Sequence, residues 1–283
     1  LILFCLSCLG FLLLWTALSS ETDDLRVTFL AVGHGDCVVI QTPNGKVVLV
    51  DSGGDRTGRR RVGREVVVPA LRSLGVDRID WAIITHPHPD HFLGFTGVLG
   101  EIPIQRVLLS ETSEHGGEYA DLLDRFRSAH IPIHDVRDWN EDLLIDGVRF
   151  HVFGANRRDF AARSLNDQSI VMRMSYGSFS TLLTGDIEKK GEAALLRSKH
   201  TLRSTVLKVA HHGSNTSSGY SFLRKVQPEW AVIQCREGGL FNFPHADISS
   251  RLHEMNIPTS VTGFLGTIQI RSDGTNWSVN RLL

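Results

Sequence analysis

The chain has 283 residues, with 30 Lys plus Arg against 31 Asp plus Glu, so its formal charge is −1 before its 13 histidines are counted. That balance excludes a uniformly basic nucleic-acid-coating protein, and 42% apolar residues with only 9 prolines exclude a disordered or fibrous chain. The scattered cysteines Cys5, Cys8, Cys37 and Cys235 form neither a disulfide framework nor a thiolate zinc cluster.

From Leu1 to Leu18 the sequence carries no charge and is long enough for a bilayer core of ~30 Å. Residues 1–20 are therefore read as a transmembrane segment, the end of a truncated membrane domain. A signal sequence cleaved near Ala17-Leu18-Ser19 is the alternative, although a starting Met and a basic stretch are absent. The acidic SSETDDL that follows places the remaining chain on the extracytoplasmic side of a cell membrane.

Next, RVTFLAV and CVVIQT predict strands, a turn falls at Pro43-Asn44-Gly45, and KVVLVD is the returning arm ending at Asp51. A basic loop runs from Asp55 to Arg64, and REVVVPALRSLG predicts a helix closed by Gly75. The apolar strand WAIIT leads straight into His86-Pro87-His88-Pro89-Asp90-His91. Beyond it HFLGFTGVLG predicts a short helix, QRVLLS a strand, YADLLDRFRSAH an amphipathic helix and IPIHDV a strand. A strand pair surrounds Asp146-Gly147, SIVMRMSYGSFSTLLTGD turns at Tyr176-Gly177, and IEKKGEAALLRSKH predicts a helix. The rhythm repeats with STVLKVA, HHGSNTSS, a helix through Phe222 and Leu223, WAVIQC, a helix from Asp247 to Met255, and a hairpin around Asp273-Gly274. Two similar halves of this kind predict an α/β fold, two mixed sheets packed face to face with helices outside in a four-layer αββα sandwich.

Polar clusters fall at the strand ends. Proline biases the residue before it away from helix, so His86 and His88 are expected to be extended and to project to the same side, where they can share a metal. Asp90 is expected to cap the helix that begins near His91, aiming both residues at a second metal. Asp186 of Leu182-Leu183-Thr184-Gly185-Asp186 is a candidate bridging carboxylate, with a helix N-cap as its plainer reading. Lys208-Val209-Ala210-His211-His212-Gly213-Ser214 again puts histidines after a strand.

HPHPDH, TGD and KVAHHGS in this order, after VGHGDCVVI and VDSGG, resemble the metallo-beta-lactamase superfamily, and within it the ComEC/Rec2 DNA-uptake (competence) proteins. The resemblance covers residues 26–283 and implies one hydrolase domain holding two divalent ions. It implies His86, His88, Asp90, His91, Asp186 and His212 as ligands, with His211 beside the substrate; the reverse order of His211 and His212 stays open. Asp51, Asp36 of Gly33-His34-Gly35-Asp36, Asn166 and Ser214 are expected around the ligands or against substrate, with His34 where glutamine is usual. Asn166 stands where the wider superfamily has a histidine, which implies a loosely held first metal. His245 of Phe243-Pro244-His245 matches a late motif that contacts phosphate, with a helix N-terminal role as its alternative. Asp90, His211 and His245 are thus the expected catalytic groups.

Imidazole and carboxylate donors without thiolate suit Zn or Mn, and a pair of such ions activates water for phosphodiester hydrolysis. The expected function is a nuclease acting on DNA, single-stranded for preference, alongside uptake machinery. A small-molecule ester, thioester or lactam hydrolase is the alternative, and a non-catalytic DNA-binding module the third reading. Arg59, Arg60 and Arg61 are candidate DNA contacts, while no interleaved aromatic ladder for stacking bases is visible.

Overall fold

The computed structural model describes residues 24–55, 61–110, 117–139, 142–153, 164–239 and 241–282. The expected membrane segment and both Arg59 and Arg60 lie outside these residues. Among the described residues no helix is long and apolar enough to cross a membrane.

Six strands come first: β1 (Leu25–Phe29), β2 (Val38–Gln41), β3 (Val47–Val50), β4 (Trp81–Ile84), β5 (Val107–Leu109) and β6 (Ile133–Asp135). Seven more follow: β7 (Leu143–Ile145), β8 (Val148–Phe153), β9 (Val171–Tyr176), β10 (Phe179–Leu183), β11 (Val206–Lys208), β12 (Trp230–Ile233) and β13 (Thr259–Val261). The last hairpin, β14 (Thr267–Ser272) and β15 (Trp277–Leu282), returns to the first sheet and pairs with β1. The sheet orders are β15-β14-β1-β2-β3-β4-β5-β6 and β13-β12-β11-β10-β9-β8-β7.

Each sheet changes character at one place. Pairing is antiparallel up to β3 in the first sheet and up to β10 in the second, and parallel from there on. Parallel neighbours need a crossover, which returns the chain over the sheet face and leaves strand carboxyl ends free to carry loops. Asp51, His86, Asp186 and His211 all follow such ends.

Strand alternation divides the apolar residues among three cores. Val38, Ile40, Val48 and Val50 meet Phe150, Met172 and Met174 between the two sheets. Val39 and Leu49 face the other way, against Leu71, Phe95, Leu122 and Phe126 of the first helical layer. Leu182, Leu207 and Ile233 pack under Leu195, Phe222 and Leu252 of the second. Cys37 and Cys235 are buried free thiols in these layers.

Two helices differ from the sequence reading. Residues Gly63–Val67 form a π-helical turn before the α-helix Val68–Ser73. Pro69 has no N–H to donate and its ring collides with the carbonyl four residues back, so the wider turn relieves both problems. HFLGFTGVLG splits into Pro89–Phe92 and Phe95–Val98. A Cβ on Gly94 between them would collide with the Ser52 carbonyl, so glycine is required for this close approach.

The second helical layer is tied by a buried carboxylate. Glu192 accepts from the N–H groups of Ser218 and Gly219, which open the helix Tyr220–Val226. Burial pushes its carboxyl up to about 7 despite those bonds. Ionisation is therefore disfavoured in the fold relative to the unfolded chain, and stability falls as pH rises from the ordinary value near 4.5 through 7. Glu192→Gln is expected to lower stability by losing an acceptor, yet to flatten this fall. Denaturant unfolding at pH 5 and pH 8 checks it, and an unchanged difference between the two pH values would refute the assignment.

Candidate metal centre

Asp186 occupies the middle of the site. Its Oδ2 lies 3.1 Å from His91 Nε2, 3.3 Å from His212 Nε2 and 3.9 Å from His86 Nε2. His86 Nε2 is 3.0 Å from His88 Nδ1, and His212 Nε2 is 3.4 Å from Asp90 Oδ2. The arrangement brings together all six residues expected as ligands, from both sheets.

Local backbone explains how they meet. Asp90 is the second residue of the helix Pro89–Phe92 and does not cap it; His88 holds the N-cap position. Proline favours the first helical position, so the helix begins two residues earlier than expected and Asp90 is left to face His212. Nor does Asp186 cap the next helix. Asp167 Oδ1 accepts from the N–H groups of Glu188 and Gly191 at 2.8 Å each, which relieves Asp186 of that role.

His211 and His212 are both left-handed, with φ of 51° and 54°. Two such residues in succession cost of order 1–3 kcal/mol each, and the surroundings hold them. His211 N donates to the Gly185 carbonyl, Ser214 N to the His211 carbonyl, and His245 N to the Gly213 carbonyl. The result separates the two rings. His212 is 1% exposed and points inward, whereas His211 is half-buried and lines the cavity, its Nδ1 3.1 Å from Thr216 Oγ1.

Each inner histidine is held by one nitrogen and presents the other. Asp51 Oδ2 meets His91 Nδ1 at 2.8 Å while the same carboxylate accepts from the Thr85 N–H and hydroxyl. His212 Nδ1 meets the Gln234 carbonyl at 3.0 Å and lies 3.3 Å from Asp36 Oδ1. Such partners fix the tautomer and ring orientation of a metal-binding imidazole.

Electrostatics reinforce the geometry. Burial disfavours the charged form of His91 and His212, but Asp186 and their second carboxylates, Asp51 and Asp36, outweigh it and raise both pKa values well above the usual. Burial works against ionised Asp186 too, yet His212 and His91 hold its carboxyl well below the usual range. His86 goes the other way, kept neutral by burial and by His91 beside it.

The family model of the metallo-beta-lactamase superfamily matches residues 30–235. The chain belongs to that superfamily. It is similar to the ComE operon protein 3 of Bacillus subtilis, 28% identical over 94% of this chain and 35% of that protein. It is also similar to the competence protein ComA of Neisseria gonorrhoeae, 30% identical over 87% of this chain and 32% of that protein. Recombination protein 2 of Haemophilus influenzae is 29% identical over 92% of this chain and 30% of its own length. The chain thus spans about a third of the length of these relatives. Among solved structures, the fold is shared with CmlA, a diiron beta-hydroxylase from Streptomyces venezuelae, at a TM-score of 0.53, 13% identity, and coverage of 91% and 54%. It is shared as well with Igni18, a metallo hydrolase from Ignicoccus hospitalis, at 0.51, 10% identity, and coverage of 92% and 100%.

Metallo-beta-lactamase superfamily hydrolases depend on metal, and the residues here fit one. Asp186 Oδ1 and His212 Nε2 are buried without a hydrogen-bond partner. Adjacent ligands on a tetrahedral ion with bonds of ~2.0–2.1 Å lie about 3.3–3.4 Å apart, close to the spacings between His91, His212, Asp90 and Asp186. His86, His91 and Asp186 form one group of convergent donors, and His34, Asp90 and His212 another.

Other expected residues take varied places. Asn166 lines the cavity, and its Oδ1 is buried without a hydrogen-bond partner. Ser214 shapes the turn through Thr216, and Arg61 is exposed beside a separate cavity. His245 is the N-cap of the helix Ala246–Glu254; its Nδ1 accepts from Asn215 N–H and its Nε2 donates to the Phe241 carbonyl. Both nitrogens thus meet protein partners in this structure, and His245 stands at the helix N-terminus.

Sequence reasoning missed Lys208. It is 1% exposed, its Nζ donates to the Gly185 carbonyl and pairs with Asp36, and it lies 3.6 Å from Asp186 Oδ1. Burial opposes its charge, but Asp36 and Asp186 outweigh burial and raise its pKa. A lysine amid the apolar VLKVA run was the available signal. Lys208→Met leaves two buried carboxylates without their cation and is expected to destabilise the metal-free domain by about 3–5 kcal/mol in chemical denaturation. A loss below about 1 kcal/mol would show the ammonium to be dispensable.

Proposed function

We propose that this domain is a divalent-metal-dependent phosphodiesterase that cleaves single-stranded DNA during its uptake across a membrane, on the extracytoplasmic side. The observation that carries the reading is the cavity of about 550 Å³ that opens directly over Asp186, Asp90 and His212, with His211 and Arg236 on its wall. The relatives' names, a competence protein among them, support DNA as the substrate and the uptake machinery as the partner.

In this reading His86, His88 and Asp186 would hold one ion, and Asp90, His91, His212 and Asp186 the other, with Zn or Mn suited to the donors. Ions held there supply Lewis acidity and a nucleophilic water at neutral pH. Asp51 and Asp36 keep the ligand rings aimed at Asp186. Burial lowers the pKa of His211, so its ring is neutral at pH 7. With Nδ1 accepting from the Thr216 hydroxyl, the neutral ring carries its hydrogen on Nε2, from which it can donate a hydrogen bond to a phosphoryl oxygen as charge builds there. Arg236 is placed to take a neighbouring phosphate.

Labelled single-stranded DNA with Mn²⁺ or Zn²⁺ tests the proposal. Asp186→Ala is expected to abolish cleavage, and His211→Ala to slow it by about 100-fold or more. Cleavage unaffected by Asp186→Ala would remove the bridging role. Turnover of lactams or thioesters without turnover of phosphodiesters would replace the reading with a small-molecule hydrolase.

A path for the strand leads away from the site. A second cavity of about 320 Å³ shares Gly54 and Asp55 with the first and is lined by Arg61 and Arg64. If Arg61 contacts one phosphate, Arg61→Ala should reduce the slope of log affinity against log salt by about 0.7. An unchanged slope in a binding titration would remove Arg61 from the path.

A further inference from the structure

Part of the cavity lining is aromatic. Phe241 and Phe243 lie with ring centroids 5.6 Å apart and planes inclined by 22°. His34, from the opposite half of the chain, lies 5.7 Å from Phe243 at 15° and 5.2 Å from Phe241 at 34°. All three line the cavity together with Asp90 and Asp186. Phe241 is 55% exposed, which leaves a large apolar ring facing water beside a charged site.

This group is tied to the donors and to its own loop. His34 Nε2 is 3.3 Å from Asp90 Oδ2, and its ring is 4.7 Å from that of His212. On the other side, His245 donates to the Phe241 carbonyl and packs edge-on against Phe243 at 5.0 Å. The platform is thus set in place before any ligand arrives. Nearly parallel rings have faces that accept a further flat ring, and the exposed Phe241 offers one.

We propose that Phe241, stacked with Phe243 and His34, is a nucleobase-stacking step that seats an unpaired base of the substrate next to the phosphate held at the metal centre. The proposal rests on the phosphodiesterase reading and names how that site selects its substrate. A base has a π-face whatever its identity, so the step tolerates all sequences. Duplex bases already stack on one another, so the step favours single strands. In a chain of net charge −1, affinity for a polyanion cannot come from a uniformly basic surface, and stacking supplies a contribution that charge does not. His245 acts as a positioning residue for the platform.

The test measures binding with metal chelated, so that no cleavage intervenes. Fluorescence anisotropy compares a labelled oligothymidylate with a backbone of equal length whose sugars carry no bases. The domain is expected to bind the oligothymidylate about tenfold or more tightly, Phe241→Ala to lose that preference, and Phe241→Trp to keep it. Equal binding of both strands, binding of neither, or a preference that survives Phe241→Ala would overturn the stacking step. Cleavage with Mn²⁺ or Zn²⁺ is measured in parallel. Intact cleavage without base preference removes the step alone, whereas base preference without cleavage of any phosphodiester removes the phosphodiesterase reading and leaves the step standing.

Discussion

Four carboxylates, Asp36, Asp51, Asp90 and Asp186, meet in a space largely closed to water. Carboxylates so placed repel one another and lose hydration, and they remain ionised only if cations stand between them. Lys208 is the one permanent cation pairing with Asp36 and Asp186 among the described residues. His91 and His212 complete the compensation in the metal-free protein by keeping protons they would ordinarily release near neutral pH. A divalent ion does the same work with the protons gone, which couples metal binding to proton release.

That requirement shapes the fold around it. Asp51 and His86 leave the first sheet where its pairing turns parallel, and Asp186 and His211 leave the second at the corresponding place. Neither half holds a complete donor set. Packing the sheets face to face through Phe150, Met172, Val48 and their neighbours brings the two ends together. Glycines permit the close approaches: a Cβ on Gly54 would collide with the Pro89 carbonyl, and one on Gly185 would press on Ser169. Ser169 in turn accepts the Asp186 N–H and approaches His86 Nδ1 at 3.3 Å. Apolar burial thus supplies the force, and the polar cluster sets the alignment.

Much of this was legible in the sequence because it is local. The strand WAIIT followed by HPHPDH places two histidines at i and i+2 on an extended chain, and the hairpins announce themselves by Asn-Gly and Asp-Gly turns. What stayed hidden depends on distant residues. Asp90 and Asp186 each had a capping role open to them that proline or Asp167 pre-empted. The aromatic wall was invisible because Phe241 and Phe243 sit in a loop whereas His34 belongs to the other half of the chain. Lys208 reads as an oddity in a strand until Asp36 is seen opposite it. The order of His211 and His212 was undecidable from residue type, since it depends on a left-handed backbone that leaves His212 buried and His211 half-exposed.

The near-neutral charge of the chain then acquires a different meaning. A uniformly basic surface holds a polyanion everywhere, and its grip weakens steeply with salt. Here acidic groups are gathered inside, where they would bind cations, and among the described residues the proposed reading offers a strand Arg236 and His211 at the cavity, Arg61 and Arg64 beyond it, and the exposed ring of Phe241. Four carboxylates against Lys208 and the protonated His91 and His212 leave a local charge of −1 in the metal-free protein, and two divalent ions with those two protons released would make it +1. Attraction for phosphate would therefore be strengthened where metal is bound, next to the aromatic face that can hold a base. A site built this way could engage a passing strand at one nucleotide without retaining the rest of it, which is what the proposed cleavage of a moving strand would require.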